Sequence, residues 1–136
     1  MTHAGHCFCG QVSYTIDAEP LGARMCWCRD CQYIASGSAT VNVLFPDDAV
    51  TLAGEVTTIV KTADSGNTVE RGFCPTCGSQ MYSRTIEPAG TMPIRIRAGT
   101  LDDPELCPPT AAIWTKSAPS WAPIDPAMEQ FEGPPG

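Results

Sequence analysis

Cys7-Phe8-Cys9, Cys26-Trp27-Cys28-Arg29-Asp30-Cys31 and Cys74-Pro75-Thr76-Cys77-Gly78 hold seven of the eight cysteines of this 136-residue chain. Thiolates one or two residues apart can share one Zn²⁺ at about 2.3 Å per bond, whereas structural disulfides rarely involve cysteines so close in sequence. Seven thiolates are too many for one tetrahedral ion and one short of two closed four-cysteine sites. The spacing predicts two zinc sites of unequal character. Cys7 and Cys9 flank the entry to a strand. Cys74 and Cys77 form a knuckle in which Gly78 permits a left-handed turn and lets backbone N–H groups approach sulfur. Together these pairs make a Cys₄ set, the closed arrangement of structural zinc. Spacing alone leaves a second pairing open, in which the second and third clusters join.

In the first pairing Cys26, Cys28 and Cys31 remain, and three protein ligands with an open vertex is how catalytic zinc is commonly held. The competing reading closes this site with Cys107, making both metals structural and the protein a non-catalytic binding or interaction module. A lone cysteine beside Pro108 and Pro109 is otherwise read as a small buried apolar residue.

Around the clusters the chain reads as a single mainly β domain over residues 1–136, built of small antiparallel sheets stabilised by zinc. Thirteen prolines and 12 glycines favour short strands and many turns. Gln11-Val12-Ser13-Tyr14-Thr15-Ile16 alternates polar and apolar residues, as a half-buried strand does. Further strands are expected at 39–45, 50–52, 56–61, 68–73, 80–84 and 92–98, separated by turn-forming stretches such as Asp64-Ser65-Gly66-Asn67. The one short helix is expected at 29–35. The Pro-rich tail from Pro104 onward should wrap the outside of the sheets, anchored by Trp114, Trp121 and Phe131. His3 and His6 fall in what reads as a flexible N-terminal tail.

Charge narrows the partners. Fifteen acidic against eight basic side chains give a net charge of −7, with no run of Lys or Arg. Such a surface repels a phosphate backbone, which argues against nucleic acid. No stretch approaches the roughly 20 apolar residues that span a bilayer, and the N-terminus lacks the basic and apolar segments of a leader. A cytoplasmic protein without a membrane partner is expected, its cysteines kept as thiols. Edge strands leave a homodimer open.

The order Cys7-x-Cys9-Gly10-x-Val12, Cys26-x-Cys28-Arg29-Asp30-Cys31, Cys74-Pro75-x-Cys77-Gly78-Ser79, Ala98-Gly99-Thr100-Leu101-Asp102-Asp103-Pro104 and Ser117-Ala118-Pro119-Ser120-Trp121 resembles the glutathione-dependent formaldehyde-activating enzyme family, which includes relatives of centromere protein V. The resemblance runs from Gly5 to about Phe131. It implies a β-tent fold shared with a zinc-binding chaperone of small GTPases. It also implies a structural zinc on Cys7, Cys9, Cys74 and Cys77 and a substrate-side zinc on Cys26, Cys28 and Cys31. The implied reaction adds the thiol of glutathione, as co-substrate, to formaldehyde; formally it is a carbon–sulfur lyase run in reverse. Glutathione carries two carboxylates, so its pocket needs cationic donors: Arg29 is adjacent to the cluster, with Lys61, Arg95 and Arg97 as further candidates that otherwise read as solvated strand charges. Two positions depart from the family pattern. Trp27 stands where many relatives carry His within Cys-His-Cys, and Ala112 matches a second frequent His, leaving no histidine for acid–base work at the second site.

Overall fold

In Ile94-Arg95-Ile96-Arg97 both isoleucines are fully buried in the main core, and both arginines stand on the other side of the sheet. Side chains alternate across a strand, so this one segment separates an apolar face from a polar one. The neighbouring strands obey the same division. The architecture is described for residues 2–90 and 92–135 of a computed structural model.

Among these residues the strands are β1 (His3–His6), β2 (Ser13–Ile16), β3 (Gly22–Cys26), β4 (Thr40–Phe45), β5 (Val50–Ala53), β6 (Thr57–Thr62), β7 (Thr68–Phe73), β8 (Gln80–Glu87), β9 (Ile94–Arg97), β10 (Ala111–Ile113) and β11 (Glu129–Gln130). The single α-helix, α1, spans Arg29–Ile34. A three-stranded antiparallel sheet has the order β1-β2-β5, and an eight-stranded sheet the order β11-β10-β3-β4-β9-β8-β7-β6. Val12, Tyr14 and Ile16 from the small sheet region meet Val43, Phe45, Met81, Ile94 and Ile96 of the large sheet in one core. Tyr14 donates or accepts a 2.7 Å hydrogen bond with Thr100, and Gly5 bridges Leu101, fastening the two sheets at one end.

The mainly β fold expected from the sequence is present, and the predicted helix and strands appear within a few residues of their expected limits. Three expectations are corrected. His3 and His6 belong to β1, and His3 lies 2.9 Å from Glu19, because the N-terminus pairs along β2 rather than trailing free. The C-terminal tail does not only wrap the sheets: β10 pairs in parallel with β3, and β11 in parallel with β10, so the tail extends the large sheet. Finally, Trp121 is 68% exposed and anchors nothing. Trp114 and Phe131 do anchor the tail, packing against Cys26, Cys31 and Ile113, and a further anchor lies in the body. Trp27, 1% exposed, packs with Ala39 and Ala112 under Ala118, Ala122, Ile124 and Met128 of the tail. No helix among the described residues is long and apolar enough to cross a membrane.

Burial of a full indole under the tail predicts the ranking of two substitutions. Trp27→Ala should destabilise the protein by about 3–5 kcal/mol, while Trp121→Ala should stay within about 0.5 kcal/mol of the parent. Urea unfolding of the zinc-loaded proteins checks both, and similar midpoints for the two variants would overturn the ranking.

Candidate functional site

Cys7, at the end of β1, and Cys9 enter a tight turn in which Cys7 N–H donates to Val12 O at 2.8 Å and Gly10 N–H to Cys7 O at 3.1 Å. Across from it, the 74–78 knuckle closes with Gly78 N–H on Cys74 O at 2.9 Å, Gly78 having a left-handed φ of 78°. The turn aims N–H groups at sulfur: Val12 N–H lies 3.2 Å from Cys7 Sγ and Cys77 N–H 3.5 Å from Cys74 Sγ. The Ser79 hydroxyl, 3.2 Å from Cys77 Sγ, and the Ser79 backbone help pull the Cys77 thiol down to about 5. All four sulfurs lie within 4.8 Å of one another. Cys7–Cys9 and Cys9–Cys74 sulfur separations are 3.6 and 3.7 Å. A tetrahedron with Zn–S bonds of about 2.3 Å has edges of about 3.8 Å, so this donor set fits zinc. The structure thus brings the sulfurs of the first and third clusters together and leaves those of the second apart.

The second cluster sits elsewhere. Cys26 ends β3, Cys28 caps α1, and Cys31 lies on its first turn, where its N–H donates to Cys28 Sγ at 3.4 Å. The three sulfurs also fall within 4.8 Å of one another, and no fourth Cys, His, Asp or Glu joins them among the described residues. Cys107 packs against the main core instead. Buried hydrogen bonding distributes the protons unevenly. Hydrogen bonds from Cys26 and Cys28 pull Cys31 down to about 2, whereas Cys26 is pushed well up, chiefly by Cys28 and Cys31. Three thiols so close cannot all ionise without a cation, which is the donor chemistry of a metal site.

This cluster opens into a cleft of about 120 Å³ on the polar face of the large sheet. One water needs about 10–15 Å³ on this measure, so the cleft admits a ligand of several heavy atoms. Register places Arg24 and Cys26 of β3, Asn42 of β4, Arg95 and Arg97 of β9, Ser83 of β8 and Arg71 of β7 along one side of the sheet. All seven line the cleft with Cys28 and Cys31, and no Asp or Glu is among its described lining residues. Arg97 Nη1 donates to Asn42 Oδ1 at 2.5 Å, and Asn42 Nδ2 to Thr40 Oγ1 at 3.0 Å. The Thr40 hydroxyl in turn bonds Cys31, so a buried chain connects the guanidinium to the thiol cluster. Arg95 Nε donates to Ser83 Oγ at 2.8 Å. Desolvation, then the charges of Arg24, Arg97 and Arg71, draw Arg95 down to about 10.

Of the cationic residues singled out in the sequence, Arg95 and Arg97 lie in the cleft and are not solvated strand charges. Arg29 points elsewhere: it is exposed, with Nη1 2.5 Å from Gln32 Oε1 and its guanidinium 5.2 Å from the Tyr33 ring centre. Lys61 is held by Asp30. Sequence reasoning missed Arg24 and Arg71. Period-two spacing from Cys26 would have found Arg24, but Arg71 needed the register of β7 with β8. Trp27 and Ala112 lie together in the apolar cluster under the tail, a large residue against a small one, and neither lines the cleft.

The molecule is therefore a mainly β protein with one four-cysteine centre and one three-cysteine centre facing a cationic cleft, both able to hold metal. The chain belongs to the family described as glutathione-dependent formaldehyde-activating enzyme, whose profile matches residues 2–117. A crystal structure of a Rhodobacter sphaeroides protein, a structural-genomics target, shares the fold at a TM-score of 0.54 and 15% sequence identity, covering 94% of this chain and 98% of its own. No curated protein matches the sequence closely enough to add to these.

The two centres should respond differently to acid. Protons compete with metal for thiolates, and the second centre offers an ion three thiolates where the first offers four, so it holds the ion by one bond fewer. On lowering the pH, zinc should leave the second centre before the first, giving two phases with a chromophoric chelator. Cys28→Ala should abolish the phase at higher pH and leave the other unchanged; a single phase in the parent protein would contradict this.

Proposed function

We propose that the protein is a zinc-dependent enzyme that makes or breaks the carbon–sulfur bond of a thiol–aldehyde adduct, with glutathione and formaldehyde as the pair its family suggests. The observation that carries the reading is the three-cysteine cluster at the head of an arginine-lined cleft, with no fourth protein ligand among the described residues. In the forward direction the thiol sulfur bonds to the aldehyde carbon, the carbonyl π bond opens, and the thiol proton is transferred, by way of solvent, to the former carbonyl oxygen. The balanced product is a hemithioacetal. Cys26, Cys28 and Cys31 would hold the zinc, and the closed set of Cys7, Cys9, Cys74 and Cys77 would hold a structural one. Bound in the cleft, zinc supplies a Lewis acid and favours the thiolate form of a nearby thiol.

The chain's own residues supply the rest. Cleft guanidiniums bind the negative charge of the co-substrate and orient it, so the carboxylate-binding role expected of Arg29 passes to Arg95 and Arg97. The cleft has no histidine or carboxylate among its described lining, which leaves proton transfer to solvent and charge stabilisation to fixed N–H donors.

The test is exchange between ¹³C-formaldehyde and its glutathione adduct, followed by NMR with zinc-loaded protein. Cys28→Ala should lower the catalysed exchange at least 100-fold while retaining the metal of the first centre. Exchange at the uncatalysed rate with the parent protein for glutathione and for small acidic thiols alike, or full activity in the variant, would reject the enzyme reading.

A further inference from the structure

Arg97 is 7% exposed, and its Nη1 is committed to Asn42. Its Nε and Nη2 have no hydrogen-bond partner among the described residues. These two atoms form one edge of the guanidinium, the edge that meets a carboxylate or phosphate through two parallel N–H···O bonds. Arg71, 6% exposed, also has an unpartnered Nε, while its Nη2 lies 3.7 Å from Asp30. Buried donors left unpaired are costly, and unpaired guanidinium N–H groups more so. Both side chains line the cleft that holds the three thiols. Their geometry is therefore that of an oxyanion receptor.

Charge in the cleft defines what that anion carries. Arg24, Arg71, Arg95 and Arg97 line it, offset only in part by Asp30 beside Arg71 and by the Cys31 thiolate near Arg97, and the described lining offers no carboxylate to receive an ammonium. Glutathione brings an ammonium along with its carboxylates, and four guanidiniums disfavour it. A compact acid with two negative charges and no amine meets the lining without that penalty.

We propose that Arg97, through its Nε–Nη2 edge, and Arg71 form an oxyanion subsite, and that the thiol co-substrate is a small amine-free acid of at least two negative charges, bound in preference to glutathione. The assignment of a thiol rests on the function proposed above; the oxyanion subsite does not. In the forward reaction the acid group is bound unchanged, and the only bond made is that between sulfur and the aldehyde carbon.

Calorimetric titration of the zinc-loaded protein with mercaptosuccinate, succinate, inorganic phosphate and glutathione separates these points. Mercaptosuccinate should bind at least tenfold more tightly than glutathione, a measurement that needs no variant. Succinate or phosphate should bind without any thiol, the tighter of the two identifying carboxylate or phosphate as the natural acid group. Arg97→Gln should weaken succinate and mercaptosuccinate by at least tenfold, Arg97→Lys should restore little because one ammonium cannot replace the fork, and Arg84→Gln should change neither. Circular dichroism verifies that the variants are folded, and Arg71→Gln provides a second, independent loss. Glutathione binding as tightly as mercaptosuccinate would overturn the substrate class. Neither succinate nor phosphate binding, or folded variants binding like the parent, would overturn the subsite. Succinate binding with no carbon–sulfur exchange for any thiol would keep the subsite and reject the enzyme reading instead.

Discussion

Four guanidiniums and three thiols share one face of a β-sheet whose other face is a continuous apolar core. That juxtaposition constrains everything around it. Buried like charges repel and are poorly solvated, so the arginines are stable only where acceptors or negative charge lie close. Asn42, Ser83 and Asp30 provide part of this, and the thiol cluster provides more, since the charge on Cys31 favours the ionised form of Arg97. The converse also holds: Arg97 favours the Cys31 thiolate, with Thr40 and Asn42 between them. Thiolate cluster and arginine cluster each lower the cost of burying the other.

Keeping that face open requires the core face to be closed firmly, and the first cysteine centre does this. It ties the turn after β1 to the knuckle between β7 and β8, thereby fastening the three-stranded sheet to the eight-stranded one. The sulfurs come from segments 65 residues apart, so a bound metal would remove much chain freedom from the unfolded state in addition to its local bonds. The second centre joins only β3 and the helix that follows it. One centre is thus built into the frame, and the other sits at a strand end beside the cleft, packed with Ile113, Trp114 and Phe131.

How much of this was legible in the sequence follows from distance along the chain. Each cysteine cluster is local, so the division into a four-thiol and a three-thiol centre could be posed from spacing, though not decided. The Ile94-Arg95-Ile96-Arg97 alternation signalled two faces, but not which face water reaches. Arg71 joins Arg97 only through the β7-β8-β9 register, and the parallel pairing of β10 with β3 links segments more than 80 residues apart. Such contacts depend on which strands find each other, information that no local window contains. Arg29 misled because adjacency in sequence to a ligand is not adjacency in space: on α1 it turns outward over Tyr33 while Cys31 turns in.

The departures at Trp27 and Ala112 now have a common physical sense. The two positions lie in one apolar cluster with Ala39 beneath the tail, so the large and the small residues are one packing solution. The cleft, which neither position lines, has no His, Asp or Glu among its described lining residues and is rich in fixed positive donors. A cleft of that composition suits a reaction whose nucleophile is already ionised and whose developing charge sits on oxygen, because guanidiniums stabilise an oxyanion without giving up a proton. Carbon–sulfur bond formation from a thiolate is such a reaction.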